Sequence, residues 1–359
     1  EQDPELKAIQ NRQQSFLRRS EAALALPDPT LTASLSNLST DEWQLGAEPM
    51  TQLRIGISQP MPRGETRSIN SRRMAVAGEE QLYSGEARRA WIQHQVGHMW
   101  LDLYLTNHSI KLIESSRGLF EQLGEIVEAS YASTLGRTRQ QDVIRSQLEL
   151  TRLEDRLLTL QQQASFQAEL LRGWISDEGG WTLKQFVLGD LPELRSAEAP
   201  AVSLNWFQQH PLLQRAGAKV SGSELAVDLA RQAYKPSWGL NASYGYRAED
   251  PQGRNRADLL TVGVTWSMPL FDRRQQDNGV EAAIAMADAS REDRTLLARQ
   301  LHARYLAAQQ RYKYLSQRRS LYDAQLLNQV HEQAEATLTA YTNDDGDFEE
   351  VVQIGRAHV

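Results

Sequence analysis

Four short stretches of the chain alternate apolar and polar residues with a period of two. Leu31, Ala33 and Leu35 alternate with Thr30, Thr32, Ser34 and Ser36. Leu53, Ile55 and Ile57 alternate with Gln52, Arg54, Gly56 and Ser58. Trp238, Leu240, Ala242, Tyr244 and Tyr246 alternate with Ser237, Gly239, Asn241, Ser243 and Gly245. Leu260, Val262, Val264, Trp266 and Met268 alternate with Thr261, Gly263, Thr265 and Ser267, and Leu259 alone breaks the pattern. Successive side chains of a strand point to opposite faces, so each stretch predicts a strand with one apolar and one polar side. Polar loops at about 39–50 and 248–257, the second carrying Glu249, Asp250, Pro251, Gly253 and Asn255, close two hairpins at 30–60 and 237–268.

Outside the hairpins the period lengthens. Residues 4–26 read as a helix that Pro27 and Pro29 end. No proline occurs from about Glu65 to Tyr131, nor from about Arg273 to Tyr341. At 1.5 Å rise per residue each such helix is roughly 100 Å long. Leu105, Leu112, Leu119 and Ile126 step by seven, as do Ile113, Phe120 and Val127. In the second stretch Leu301, Ala308, Leu315 and Tyr322 step by seven beside Tyr305, Tyr312 and Leu326. Helices of this length gain too little alone and must lie against partners. The first turns at Leu135-Gly136-Arg137, and a return helix over 138–175 follows, with Val143, Leu150, Leu157, Ala164 and Leu171 in one seam and Leu153, Leu160 and Trp174 in the other. Together they predict an antiparallel coiled-coil hairpin. Residues 176–209, with Gly179, Gly180, Pro192 and Pro200, form an irregular linker. A second turn falls at Asn343-Asp344-Asp345-Gly346, and a second return helix begins at Phe348.

The two sets of elements are in register at an offset of 207 residues. Pro4 matches Pro211, Pro29 matches Pro236, Gly46 matches Gly253, Gly56 matches Gly263, and Met61-Pro62 matches Met268-Pro269. Proline fixes φ and glycine frees it, so matched prolines and glycines imply the same backbone built twice. The offset is too long for a solenoid unit. It reads as a duplicated half, with a first repeat at 1–175, a linker at 176–209 and a second repeat at 210–353.

Composition narrows the classes. The chain has 359 residues, net charge −7 and no cysteine, which removes disulfides, thiolate metal sites and cysteine nucleophiles. An acidic balance gives no excess of cations to neutralise phosphates, which argues against a nucleic-acid partner. No apolar run reaches the ~18 residues a membrane-spanning helix needs, but barrel strands carry a much weaker signal. No phosphate loop, nucleophile triad or paired-carboxylate pocket points to an enzyme or a cofactor. The sequence opens at Glu1 in the repeat itself, and Ile354–Val359 read as translated sequencing adapter, so these six residues, His358 included, are set aside.

The expected fold is therefore mainly α with β: long antiparallel coiled-coil helices and two β-hairpins. Four strands are too few to seal a barrel, since small barrels need about eight. An open edge is not tolerated in lipid, so copies of the chain are expected to pool their strands. This ordered set of features resembles the TolC family of outer-membrane efflux channels. The likeness is carried by Pro4-Glu5-Leu6 and His210-Pro211-Leu212, by the Gly56-Ile57 and Gly263-Val264 strands, and by the exits Met61-Pro62-Arg63-Gly64 and Met268-Pro269-Leu270-Phe271-Asp272. The turns Tyr131…Gly136…Asp142-Val143-Ile144 and Tyr341…Gly346…Glu350-Val351-Val352 also fit. The two exits are similar to the heavy-metal efflux branch. The resemblance implies a homotrimer with one shared twelve-stranded barrel in the outer membrane of a Gram-negative bacterium. It also implies a periplasmic helical tunnel that docks to a periplasmic adaptor and an inner-membrane pump.

Four groups of residues stand out. Asp344, Asp345 and Asp347, followed by Glu349 and Glu350, suit a turn and a helix start. Repeated about a symmetry axis they become a cation-favouring gate, a role the resemblance supports. Leu135, Gly136, Arg137 and Thr138 form a plain helix-hairpin turn, to which the resemblance adds adaptor contact. Trp238, Tyr244, Tyr246 and Trp266 suit an interfacial aromatic belt facing lipid, or else a soluble core. His94 and His98 sit one turn apart on a helix, but two ligands do not make a metal site. The expected function is a passive exit channel for small solutes, drugs or metal cations. The rival readings are a type I protein-secretion duct and a soluble coiled-coil scaffold.

Overall fold

A computed structural model of the chain describes residues 3–133, 139–175, 207–268 and 271–342, together with Leu191 and Glu350. It divides into two compact units. The sheet unit comprises Pro4–Arg88 and Val202–Leu301, and the coil unit comprises Glu1–Asp3, Arg89–Ala201 and His302–Val359.

In the sheet unit, helix α1 spans Pro4–Ala22, with Glu5 in its first turn, Arg19 in its last, and Leu6 and Ile9 buried. Acid at the start and base at the end both suit the helix dipole. The helix ends earlier than the proline positions suggest. Leu24 and Ala25 donate to Glu21 and Ala22, tighter bonds that close the last turn before Pro27. Strands β1 (Thr30–Ser36) and β2 (Gln52–Met61) follow. Helix α2 (Thr66–Ala132) starts in this unit and continues into the other.

The second set repeats the order. Helix α4 spans Pro211–Arg231, a 3-10 turn covers Gln232–Tyr234, and strands β3 (Ser237–Tyr246) and β4 (Leu259–Ser267) precede helix α5 (Arg274–Leu321). Helix α3 (Gln140–Ile175) lies between the sets. Pro4 and Pro211, Thr30 and Ser237, and Gln52 and Leu259 each begin matching elements 207 residues apart. His210 caps α4: its backbone is extended and its Nδ1 accepts the Leu212 N–H at 3.2 Å. Pro211 at the first helical position loses no hydrogen bond there.

The strands form one antiparallel sheet in the order β1-β2-β3-β4. Both hairpins form as the alternation predicts, and β2 pairs with β3 to join them.

In the coil unit, α2 and α3 bury one seam. On α3 the expected positions hold: Leu160 and Leu171 are buried, and Val143, Leu150, Leu153, Leu157, Ala164 and Trp174 are half-buried. On α2 only one of the two expected rows is used. Ile113 and Val127 are buried and Phe120 is half-buried, whereas Leu105, Leu112 and Ile126 are exposed. Leu103, Thr106, Ser116 and Leu123 complete the buried stripe. Heptad spacing alone cannot choose between two apolar rows on one helix. Leu123 and Val127 form a buried cluster, with Val143 and Tyr341 packed against it. Trp91 and Trp174 meet edge to face at 5.7 Å.

The second long helix is not continuous. After α5, Tyr322–Leu326 form a π turn before helix α6 (Leu327–Thr342). A π turn adds a residue to the helical repeat and rotates the side chains beyond it. Partial burial falls on Leu301, Tyr305 and Gln309 before it and on Val330, Ala334 and Thr337 after it, with an exposed run between.

Candidate functional site

The register aligns the apolar positions into rows across all four strands. Ala33, Ile55, Tyr244 and Leu260 form one row, Leu31, Ile57, Ala242 and Val262 the next, and Trp238 faces Trp266 beyond them. Gln59 is the polar exception, and its amide donates to the Pro27 carbonyl at 2.8 Å. From Leu31 to Trp266 the large residues of this face are between 46% and 75% exposed. Removing one such side chain from water gains about 1.5–3 kcal/mol. Thirteen of them together outweigh the usual net stability of a domain, about 5–15 kcal/mol. A contiguous face of this kind is a contact surface for lipid or protein.

The aromatic residues lie at its two ends. Trp238 and Trp266 sit at the end where the helices join, and Tyr244 and Tyr246 at the end of the connecting loops. Eight residues separate Trp238 from Tyr246, about 26 Å along a strand at ~3.3 Å per residue. The apolar band of an outer-membrane barrel is about 25 Å tall between aromatic girdles.

The opposite face is small and polar. Ser58 donates to Asn241 at 2.6 Å and Asn241 donates to Thr265 at 2.7 Å, a hydrogen-bonded line across β2, β3 and β4. Gly245 is covered by the Gln52 side chain, and a Cβ on Gly56 would stand 2.9 Å from Thr32 Oγ1. Arg54 is the only charged residue in the four strands. Alternation marks it as one polar position among many; its being the sole charge in the four strands is what sets it apart.

The loops at the far end are braced. Asp250 accepts from the backbone of Gln252 and Arg254 and from Arg254 Nε at 2.7 Å, with Gly253 at φ 77° completing the turn. The Arg254 N–H and guanidinium hold the Asp250 carboxyl below its usual pKa. Arg256 donates to the Glu48 carbonyl at 2.9 Å, and Gly46 packs directly on the Glu249 carbonyl, so the two loops touch. At the helix end, Arg63 donates to the Ala233 carbonyl at 2.7 Å, and Gln232 accepts the Glu65 N–H at 3.0 Å. Gly64, at φ 43°, makes the turn between them.

The other candidate residues do not gather here. Leu135, Gly136, Arg137 and Thr138, and Asp344, Asp345 and Asp347, lie outside the described residues. His94 and His98 are exposed with rings 4.5 Å apart, and no group of three metal-binding side chains occurs among the described residues. No described helix is long and apolar enough to cross a membrane.

No family model matches the chain, and no curated protein matches it in sequence. Solved structures do. CusC, reported for conformational changes on folding and transmembrane channel formation, is 14% identical with a TM-score of 0.81, over 99% of this chain and 83% of its own. The outer-membrane protein VceC of Vibrio cholerae is 15% identical with a TM-score of 0.74, over 98% and 85%. The CmeC outer-membrane channel of Campylobacter jejuni is 13% identical with a TM-score of 0.72, over 98% and 76%. With its helices, its four-stranded sheet and these likenesses together, the chain has the TolC-like fold of outer-membrane channels that its sequence resembles.

Proposed function

We propose that the chain is one protomer of an outer-membrane exit channel, the outermost part of a tripartite efflux system in a Gram-negative bacterium. The observation that carries this reading is the sheet: one face apolar and exposed, the other small and polar, with β1 and β4 at its two open edges. In lipid every unpaired backbone group costs several kcal/mol, so the edges need partners. Sister copies supply them, and three copies of four strands give twelve. The apolar face then meets lipid, with Trp238, Trp266, Tyr244 and Tyr246 as its girdles, and the polar face lines a water-filled lumen. The fold shared with outer-membrane channels supports this reading.

The channel conducts passively and does no chemistry. Its cargo is small solutes, drugs or metal cations, moved by an inner-membrane pump through a periplasmic adaptor. Leu135, Gly136, Arg137 and Thr138 form the tip that meets the adaptor, and Asp344, Asp345 and Asp347 ring the gate. The full-length protein, extracted in detergent and added to planar bilayers, is expected to give discrete conductance steps. A protein that stays soluble and monomeric without detergent contradicts the proposal.

A further inference from the structure

Arg54 occupies the polar face in the row Ser34, Arg54, Gly245 and Leu259. No carboxylate shares that face, because the strands hold no other charge. Its Nε is buried without a hydrogen-bond partner, and so is the Oε1 of Gln52, two residues away on the same face. Neither atom is open to solvent, so the guanidinium reaches the polar face by its terminal nitrogens, on a side chain that is half-exposed. The glycine opposite offers no side chain to cover the guanidinium. Nearby loop charges are engaged differently: Asp250 is tied to Arg254, and Arg247 donates to the Ala257 and Pro49 carbonyls.

We infer that Arg54 is a charge filter in the outward part of the lumen. The inference rests on the exit-channel reading. Arg54 lies two residues from the start of β2, at the loop end of the sheet and away from the helices. In a symmetric assembly each copy adds one guanidinium at the same height. A ring of arginines in a water-filled pore favours anions and raises the barrier to cations. Of the cargoes proposed above it favours the anionic ones, solutes and drugs that carry a carboxylate, sulfonate or phosphate ester, which a guanidinium binds with paired hydrogen bonds, and it disfavours metal cations, opposite in sign to the acidic gate.

The test is the chloride-to-potassium permeability ratio of the full-length protein in planar bilayers under a salt gradient. Arg54→Gln is expected to lower the ratio by about threefold, the order expected of a unit charge acting through water at a few ångström. Arg54→Glu is expected to lower it further, and Arg54→Lys to keep it near the starting value. The effect is expected to shrink in about 1 M salt, where the screening length is ~3 Å. Because Arg54 makes no ion pair among the described residues, the variants are expected to assemble and conduct normally. Normal conductance with an unchanged ratio in both Arg54→Gln and Arg54→Glu overturns the filter and leaves the channel standing. Absence of conductance in the unaltered protein overturns the channel reading and the filter with it.

Discussion

Val127 on α2 and Leu171 on α3 are 0% and 1% exposed, whereas Val262 and Leu31 of the sheet, chemically alike, are both 74% exposed. In the coil unit one stripe on α2 and α3 is covered, because two helices at a spacing of 3.5 residues supply each other with a facing surface, while apolar residues off that stripe, such as Leu105 and Leu158, stay exposed. In the sheet unit the strands satisfy only their backbones toward each other. Their apolar side chains leave by the same face, and among the described residues no element is laid over it. The coil therefore buries a seam of its own, and the sheet leaves a whole face open, which on the proposed function lipid and sister copies would complete.

That contrast is open to direct attack. Leu171→Ala removes a fully buried seam residue and is expected to cost about 2–5 kcal/mol, while Leu105→Ala on the exposed row is expected to cost under about 0.5 kcal/mol. Denaturant melting of the helical signal measures both, and equal effects would mean the wrong row is buried. In the sheet the order of sensitivity should invert with respect to water. Val262→Arg, mid-strand on the apolar face, is expected to cost about 2–4 kcal/mol of membrane insertion, and Ser243→Arg on the polar face close to nothing. The folded fraction recovered in lipid vesicles reports this, and equal losses would deny the two faces different surroundings.

A smaller effect concerns the entrance to α4. Burial holds the His210 imidazole below its usual pKa, and its Nδ1 accepts a backbone N–H. Only the neutral ring accepts there. The cap's contribution is thus fully present above the ordinary histidine value of about 6.5 and is lost as pH falls through that value toward the lowered one. His210→Asn keeps an acceptor without the titration. It is expected to flatten the loss of thermal stability between about pH 7 and pH 5, and an unchanged slope would assign the titration elsewhere.

The strands were legible to within a residue or two because a period of two has one meaning: Thr30, Gln52 and Ser237 begin strands where the alternation begins. The two hairpins' direct pairing through β2 and β3 was not, since no local signal states which edges meet. The coil was legible on α3, whose two heptad rows stand three residues apart and share one face, and ambiguous on α2, whose rows fall on adjacent residues and cannot both be buried. The π turn at Tyr322–Leu326 carries no proline or glycine, so nothing in its composition announced it. The aromatics of the exposed face follow from alternation, whereas Arg54 gains meaning only when the register shows it alone on a neutral face.

The central claim is that β1 of one copy pairs with β4 of another. The chain contains no cysteine, so engineered ones report cleanly. Ala33→Cys combined in turn with Leu260→Cys, Val262→Cys or Val264→Cys, in the full-length protein in membranes under mild oxidation, is expected to yield covalent products that stop at three copies for at least one pairing. Monomers alone in every pairing, or a ladder that runs on past three, would contradict it.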